Sequence, residues 1–416
     1  MAENRIFGCI GRKLGHSYSV PIHALLADYE YKLIPLEPDE LEPFFTERNF
    51  SGINVTIPYK QEVMKYLDFI DSDAGRVGAV NTVVNRDGKL YGYNTDVAGL
   101  EKLLDKTGIE IKDKKVLILG TGGTSKTAAE VCRRRNAKCF FKVSRGGKNE
   151  GISYEEAVKN HKDTQVIINC TPVGMYPADC DECPVDTDCF PCLEGIADAI
   201  YNPLRTSLVQ SGENKKIKSA GGLYMLVMQA AESVKHFIGE EIPDEKAEKV
   251  YQTVLNCKRN IVLTGMPTSG KTVIGKLIAE KTGREFADTD ELIVKEEGRE
   301  IKEIFSAEGE EYFRNRESEI IRRLSSRKGL VIATGGGSIL RGENVCLLKS
   351  NGIICLLDRP VDELKADGTR PLSSDANALS RLYAERYDIY RETCDRIFEV
   401  ESFEETADSI IKELQL

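Results

Sequence analysis

Two stretches of the chain share one pattern, a short apolar run that enters a glycine-rich turn and continues with apolar positions three and four residues apart. They are KVLILGTGGTSKTAAEVCRRR from Lys115 and NIVLTGMPTSGKTVIGKLIAE from Asn260. A strand, a phosphate-sized turn and a helix are predicted at each, so each should open its own α/β domain. Before Lys115 the apolar runs RIFGCI, GINVTIP and AVNTVVN, with turn signals at Pro58 and Asp87-Gly88, predict strands of a further domain. The stretches LYMLVMQAAESVKHFIG and IPDEKAEKVYQTVLNCK place apolar residues at helical spacing, with Pro243 at the start of the second. These helices are expected to pack back on the first domain. No Gly/Ser/Pro-rich spacer separates Cys257 from the strand at Asn260. The predicted fold class is α/β throughout: an N-terminal α/β substrate domain over residues 1–97 and 223–257, a Rossmann domain over 98–222, and a P-loop domain with a parallel sheet over 258–416.

Length agrees, because 416 residues at roughly 150 per domain suggest two or three domains. Charged residues at 30% and hydrophobic ones at 41% are the balance of a globular chain. The net charge of -10, without a basic run, argues against nucleic acid or an anionic membrane as partner. No apolar stretch approaches the roughly 18 residues of a membrane span, and MAENRIFGCI lacks a signal-peptide core. The 12 cysteines are scattered, so a cytoplasmic protein with reduced thiols is expected. Cys180-x-x-Cys183 and Cys189-x-x-Cys192 could bind zinc, but the five residues between them are few for a zinc ribbon, and plain reduced thiols are the favoured reading. With four histidines, a multi-histidine centre is not expected.

The first glycine turn, Gly120-Thr121-Gly122-Gly123-Thr124-Ser125, would present amides and a helix N-terminus to a pyrophosphate. The strand from Lys138 to Val143 ends in Ser144 and Arg145 where an NAD-selective site would carry an acidic residue, and Lys142 stands beside them. Cationic and hydroxyl groups there suit a 2′-phosphate and favour NADP over NAD. The second turn is a full G-x-x-x-x-G-K-T spanning Gly265, Pro267, Thr268, Ser269, Gly270, Lys271 and Thr272. Its amides would cradle ATP phosphates, with Lys271 on the β/γ oxygens and Thr272 on Mg²⁺. Lys60 in GINVTIPYK and Asp96 in GYNTDVAGL are candidates for moving a proton at a carbonyl that becomes a hydroxyl, with a surface lysine and a turn aspartate as the bland alternative.

The motifs HSYS, NVTIPYK, GAVNT, GYNTD, GTGGTS, INCTPVGM and LVMQAAE occur in an order that resembles shikimate dehydrogenase from about Arg5 to Cys257. The resemblance implies that Ser17, Ser19, Asn54, Thr56, Asn81, Tyr201 and Gln229 hold shikimate, with Lys60 and Asp96 as the catalytic pair and Gly222 beside NADP(H). Ser144-Arg145-Gly146 replaces the usual Asn-Arg-Thr, and Lys142 or Lys148 would compensate at the phosphate. From Asn260 to Leu416 the P-loop, FADTDELI, EGEEYFRNRESE, VIATGGGS, RPLSS and RLYAERYDIY resemble shikimate kinase. That implies shikimate bound by Asp290, Arg314, Gly336, Gly337 and Arg386, with Asp290 also helping to deprotonate a hydroxyl, Asp288 near Mg²⁺ and Arg370 over the ATP phosphates. The segment between Asp358 and Arg386 is a few residues shorter than the family's lid. The implied function is a fused enzyme that reduces 3-dehydroshikimate with NADPH and phosphorylates shikimate with MgATP. The alternatives are that one half has become a binding or assembly module, or that the first site acts on quinate with NAD.

Overall fold

A computed structural model describes residues 6–15, 18–147, 151–177, 182–364 and 376–416. Its strands form three sheets. The first contains β1 (Phe7–Gly11), β2 (Tyr31–Pro35), β3 (Gly52–Val55), β4 (Phe69–Ile70), β5 (Thr82–Arg86) and β6 (Lys89–Tyr93), in the order β2-β1-β3-β5-β6-β4. β1 runs parallel to β2 and β3, whereas β5 is antiparallel to β3 and β6. The β5–β6 hairpin turns on Asp87 and Gly88, both with positive φ, which is the two-residue turn that matches strand twist.

The second sheet is all parallel. It contains β7 (Lys115–Leu119), β8 (Cys139–Val143), β9 (Val166–Asn169), β10 (Gly195–Asp198) and β11 (Lys218–Ala220), in the order β11-β10-β9-β7-β8. β9 and β10 are buried along their whole length and β7 from Val116 onward, as expected of strands covered by helices on both faces. The chain leaves β7 towards β8 and returns to β9 on the other side, so the strand order reverses beside β7, where parallel sheets take their ligands.

The third sheet, also parallel, contains β12 (Asn260–Thr264), β13 (Phe286–Asp288), β14 (Val331–Ala333), β15 (Gly352–Asp358) and β16 (Arg396–Glu399), in the order β13-β14-β12-β15-β16. Both predicted helices after Gly222 are present, as Leu223–Ile238 and Asp244–Lys258.

The chain divides into two compact units. One comprises the described residues of Met1–Met175, Glu182–Tyr201 and Leu208–Val254 and carries the first two sheets. The other comprises the described residues of Tyr176–Asp181, Asn202–Ser207 and Leu255–Leu416 and carries the third. The segment Asn202–Ser207 is held within that second unit by Arg205. Its guanidinium grips Asp395 through two hydrogen bonds of 2.8 and 3.0 Å, and its Nε donates to the Lys349 carbonyl at 2.8 Å. Burial alone would raise the Asp395 pKa, but Arg205 and the Ile354 amide hold it below the usual carboxylate value. No helix among the described residues is long and apolar enough to cross a membrane.

Candidate active sites

In the first unit the predicted acid–base pair is assembled from separate elements. Lys60 lies on the turn after β3, where its carbonyl accepts from the Val80 amide at 2.7 Å. Asp96 is the first residue of the helix Asp96–Thr107, whose positive N-terminal end favours a carboxylate. The Lys60 Nζ donates to Asp96 Oδ2 at 2.6 Å, and both side chains keep some exposure, 22% and 13%. That combination suits a proton carrier, because the pair is oriented yet reachable. Below it Cys9 is buried, which pushes its thiol up to about 12 although Lys60 pulls the other way, so it stays neutral.

The other predicted ligands are each held by local contacts. The Asn81 side chain is buried and donates to Thr95 Oγ1 at 3.0 Å, while its Oδ1 accepts from the Thr95 amide at 2.8 Å. Gln229 is carried by the helix Leu223–Ile238, with its Nε2 donating to the Leu226 carbonyl at 2.9 Å. The Thr56 amide donates to the Ile10 carbonyl at 2.9 Å, which sets this residue at the end of β1. Tyr201 stands edge-on to Tyr18, and burial raises its phenol pKa. Ser19 opens the helix Ser19–Leu26. Ser17 lies outside the described residues.

Asn54, expected as a direct ligand, is largely engaged by the protein itself. Its Oδ1 accepts from the Tyr31 hydroxyl at 2.6 Å. Its Nδ2 has acceptors in Ser233 Oγ at 2.9 Å and Thr82 Oγ1 at 3.1 Å. An amide has two lone pairs and two N–H groups, and here both N–H groups and one lone pair have partners within the protein. His23, pushed down to about 3 by burial, is a neutral ring stacked on Tyr31. Asn54 therefore holds its neighbours in place. Tyr31, Thr82, Thr95 and Ser233 were not singled out from the sequence, although Thr82 in GAVNT and Thr95 in GYNTD lay within motifs.

The dinucleotide loop leaves β7 through Gly120, which has φ +103°, and a Cβ there would come within 3.2 Å of the Cys170 carbonyl oxygen. Only glycine adopts this turn so close to the strand-order reversal. Thr121 and Gly122 follow, and the helix Gly123–Arg134 begins with Thr124 and Ser125 in its first turn. The Ser125 hydroxyl donates to the Gly122 carbonyl at 2.6 Å, so it shapes the loop. Ser144 and Arg145 follow β8, and Arg145 is exposed, with Lys142 on the strand itself. Gly222 caps the helix that carries Gln229. An exposed cation beside a glycine turn and a helix N-terminus fits a phosphorylated dinucleotide. Lys148 lies outside the described residues.

In the second unit, Gly265–Thr272 wraps the end of β12 and enters the helix Lys271–Thr282. Pro267 and Thr268 form its outer turn, Thr268 having positive φ, and Gly270 caps the helix in the left-handed conformation. The Lys271 Nζ folds over the loop and donates to the Gly265 and Met266 carbonyls at 2.9 and 2.7 Å. Ser269 Oγ is buried with no hydrogen-bond partner among the described residues. A polar atom left over inside an amide-lined cradle fits a phosphate guest. The Thr272 hydroxyl donates to Asp288 Oδ2 at 2.7 Å, bringing the two expected Mg²⁺ contacts together. The other Asp288 oxygen caps the helix Thr289–Glu297 by accepting from the Asp290 amide at 2.9 Å.

The loop after β14 gathers the remaining groups. A Cβ on Gly337 would fall onto the Arg314 guanidinium, and one on Gly335 would come within 2.6 Å of Asp290 Oδ1. Gly336 offers its carbonyl to Arg386 Nη1 at 3.1 Å and to the Tyr390 hydroxyl. Arg314 is buried and paired with Glu317 at 2.8 Å, and Glu317 Oε1 accepts from the Ser338 hydroxyl at 2.5 Å. Burial works against the Arg314 charge, but Glu317 and Glu310 outweigh it and raise its pKa. Glu317 was missed in the sequence, although its place three residues after Arg314 on one helix face was a signal. Arg370, and residues 365–375 of the segment between Asp358 and Arg386 expected to form the lid, lie outside the described residues.

Of the cysteine cluster, Cys180 also lies outside them, and Cys183 donates to the Val185 carbonyl. Among the described residues no group of three or more His, Cys, Asp or Glu could hold a metal ion.

Comparison with known proteins gives a family to each half of the chain. The family model of the shikimate dehydrogenase substrate binding domain matches residues 9–83, and that of shikimate kinase matches residues 267–415. The NADP-dependent shikimate dehydrogenase of Clostridium beijerinckii is 39% identical over 239 residues, which cover 54% of this chain and 88% of that protein. The Methanosphaera stadtmanae protein of the same description is 34% identical, covering 59% and 95%. A solved chorismate mutase/shikimate 5-dehydrogenase fusion protein from Clostridium acetobutylicum matches at TM-score 0.56 and 35% identity, covering 60% of this chain and 97% of its own. Shikimate 5-dehydrogenase from Thermus thermophilus, in complex with NADP(H) and shikimate, matches at TM-score 0.53 and 28% identity, covering 60% and 99%. The chain belongs to the shikimate dehydrogenase family and carries a shikimate kinase domain behind it, a bifunctional enzyme of the shikimate pathway.

Proposed function

We propose that the two sites described above are where this chain reduces 3-dehydroshikimate and phosphorylates shikimate, and that the residues act as follows. At the first site Asn81, Thr56, Ser19, Tyr201 and Gln229 bind the ring, and Lys60 as the ammonium gives a proton to the C3 oxygen as the carbonyl becomes a hydroxyl. Asp96 orients Lys60 and stabilises its charge, and the reverse reaction uses the same pair as base. NADPH supplies the hydride. Gly120–Ser125, Ser144, Arg145 and Gly222 would hold it. The observation that carries this half of the reading is the 2.6 Å Lys60–Asp96 contact between residues brought together from two elements.

At the second site Arg314 and Arg386 neutralise the shikimate carboxylate, and Asp290 accepts from a ring hydroxyl and takes its proton. MgATP supplies the phosphoryl group. Gly265–Thr272 and Asp288 would hold it, so the chain's own contribution is alignment and charge neutralisation. The convergence of Asp290, Arg314 and Arg386 on residues 335–337 supports this assignment. The reading keeps three domains, 1–97 with 223–257, 98–222 and 258–416, supported by a separate sheet in each. It places the chain in the cytoplasm, where NADPH and ATP are both supplied, with small molecules as its partners and neither nucleic acid nor membrane.

The test is a pair of separate assays on the full chain, NADPH loss with 3-dehydroshikimate and ADP formation from supplied shikimate and MgATP, for the wild type, Lys60→Ala and Lys271→Ala. Lys60→Ala is expected to lose the first signal alone and Lys271→Ala the second alone. Loss of both signals in either variant, or of neither, would overturn the assignment. Comparing NADP with NAD and shikimate with quinate in the same assay checks specificity, and a preference for NAD and quinate would replace the first half of the reading.

A further inference from the structure

Ser233 lies one helical turn beyond Gln229 on the helix Leu223–Ile238, and it is fully buried. Four polar partners surround its hydroxyl. They are Asn54 Nδ2 at 2.9 Å, Thr82 Oγ1 at 2.9 Å, Thr95 Oγ1 at 3.0 Å and the Gln229 carbonyl at 2.9 Å. These partners come from β3, from β5, from the residue preceding Asp96 and from the ligand-bearing helix itself. This one hydroxyl thus joins four segments of the first site.

A serine hydroxyl has one proton and two lone pairs. Its proton goes to the Gln229 carbonyl, so its lone pairs take the Asn54 N–H and one threonine hydroxyl. The other threonine hydroxyl must then turn elsewhere. Thr82 has Asn81 Oδ1 at 3.1 Å, Thr95 has Asn81 Oδ1 at 3.2 Å or Gln229 Oε1 at 3.4 Å, and the two hydroxyls lie 3.3 Å from each other. The acceptor capacity of Ser233 therefore sets the hydrogen bonds left to orient Asn81 and Gln229, the two amides assigned to the substrate ring.

We propose that Ser233 is a positioning residue for the dehydrogenase reaction, fixing the amides of Asn81 and Gln229 for the ring hydroxyls without touching substrate. This rests on the assignment of the ring site made above. Without the Ser233 oxygen the Asn54 N–H loses its nearest acceptor and both threonine hydroxyls are drawn to Asn81 and Gln229, so the ring meets amides that are already engaged. The dinucleotide loop stands apart from these hydrogen bonds and should not respond.

The experiment measures KM for shikimate and for NADP separately in the full chain, for the wild type, Ser233→Ala, Ser233→Cys and Lys60→Ala. Cysteine nearly preserves the volume with a weak acceptor, so it removes the hydrogen bonds without opening a cavity. Both Ser233 variants are expected to raise KM for shikimate about three- to tenfold, the worth of one buried hydrogen bond, while KM for NADP stays within about twofold. An unchanged shikimate KM in Ser233→Cys, or a parallel rise in both constants, would overturn the proposal. Lys60→Ala reports separately on the site assignment. If that variant keeps wild-type kcat, the assignment fails, whatever the Ser233 variants do.

Discussion

The two sites of this chain are built in opposite ways. In the kinase domain the phosphate cradle is one contiguous run, Gly265 to Thr272, and its local backbone alone places amides, lysine and threonine. In the dehydrogenase the lysine and aspartate proposed as the catalytic pair are 36 residues apart, and they meet only because β3, β5 and β6 pair and the helix after Asn94 begins beside them. A phosphate can be bound by backbone geometry, which a short motif encodes. A small triol acid must be met by side chains from several directions, which only a folded sheet supplies.

The difference can be broken most sharply at Asp96. Asp96→Asn keeps the shape of the pair but removes the charge that orients Lys60, and dehydrogenase kcat is expected to fall roughly 10²- to 10⁴-fold, the usual worth of a positioned proton carrier. ADP formation from shikimate and MgATP in the same chain should not change, because the cradle draws nothing from that pair. Equal losses in the two assays would show that the sites are not independent.

Within the kinase domain the cradle and the acid site should separate. Glu317 is fully buried and holds Arg314, so Glu317→Ala leaves a buried guanidinium without its closest partner. A loss of about 3–5 kcal/mol in the stability of this domain is expected, read as a lower urea midpoint for kinase inactivation. Glu317→Gln, which keeps a hydrogen-bond acceptor, should recover part of it and should raise KM for shikimate more than KM for ATP. A larger change in the ATP constant would place Glu317 with the cradle instead.

A smaller effect is expected at Arg205, whose segment precedes the kinase sequence yet belongs to the same unit. Arg205→Ala should cost this unit about 1–3 kcal/mol, the worth of hydrogen bonds to a charged group. The sign of the pH dependence follows from Asp395, whose folded pKa is lowered. A lowered carboxylate contributes stability above its unfolded pKa of about 4 and loses it as the pH falls through the folded value. The gap between wild type and variant should therefore be widest above about pH 4 and close on acidification, as followed by urea midpoints across pH. A gap that widens in acid would exclude the ion pair as its source.

Strand and helix grammar was legible where it was local. The apolar runs at Lys115 and Asn260, the Asp87-Gly88 hairpin and the two helices after Gly222 follow from periodicity and turn chemistry. The strand expected from Ala79 begins instead at Thr82, since the Val80 amide before it donates to the Lys60 carbonyl and not to the sheet. The sequence by itself determined the glycine turns, the P-loop, Lys60, Asp96 and the order of family motifs, because each is a short run whose chemistry depends on near neighbours. The tertiary structure alone decided that Asn54 is held by Tyr31, Thr82 and Ser233, that Glu317 holds Arg314, and that Arg205 anchors its segment to Asp395. Those roles depend on which polar groups are buried together. A hydrogen bond between residues as far apart as 54 and 233 leaves no periodicity in the sequence, whereas inside the fold an unmade partner would cost the full desolvation of the group.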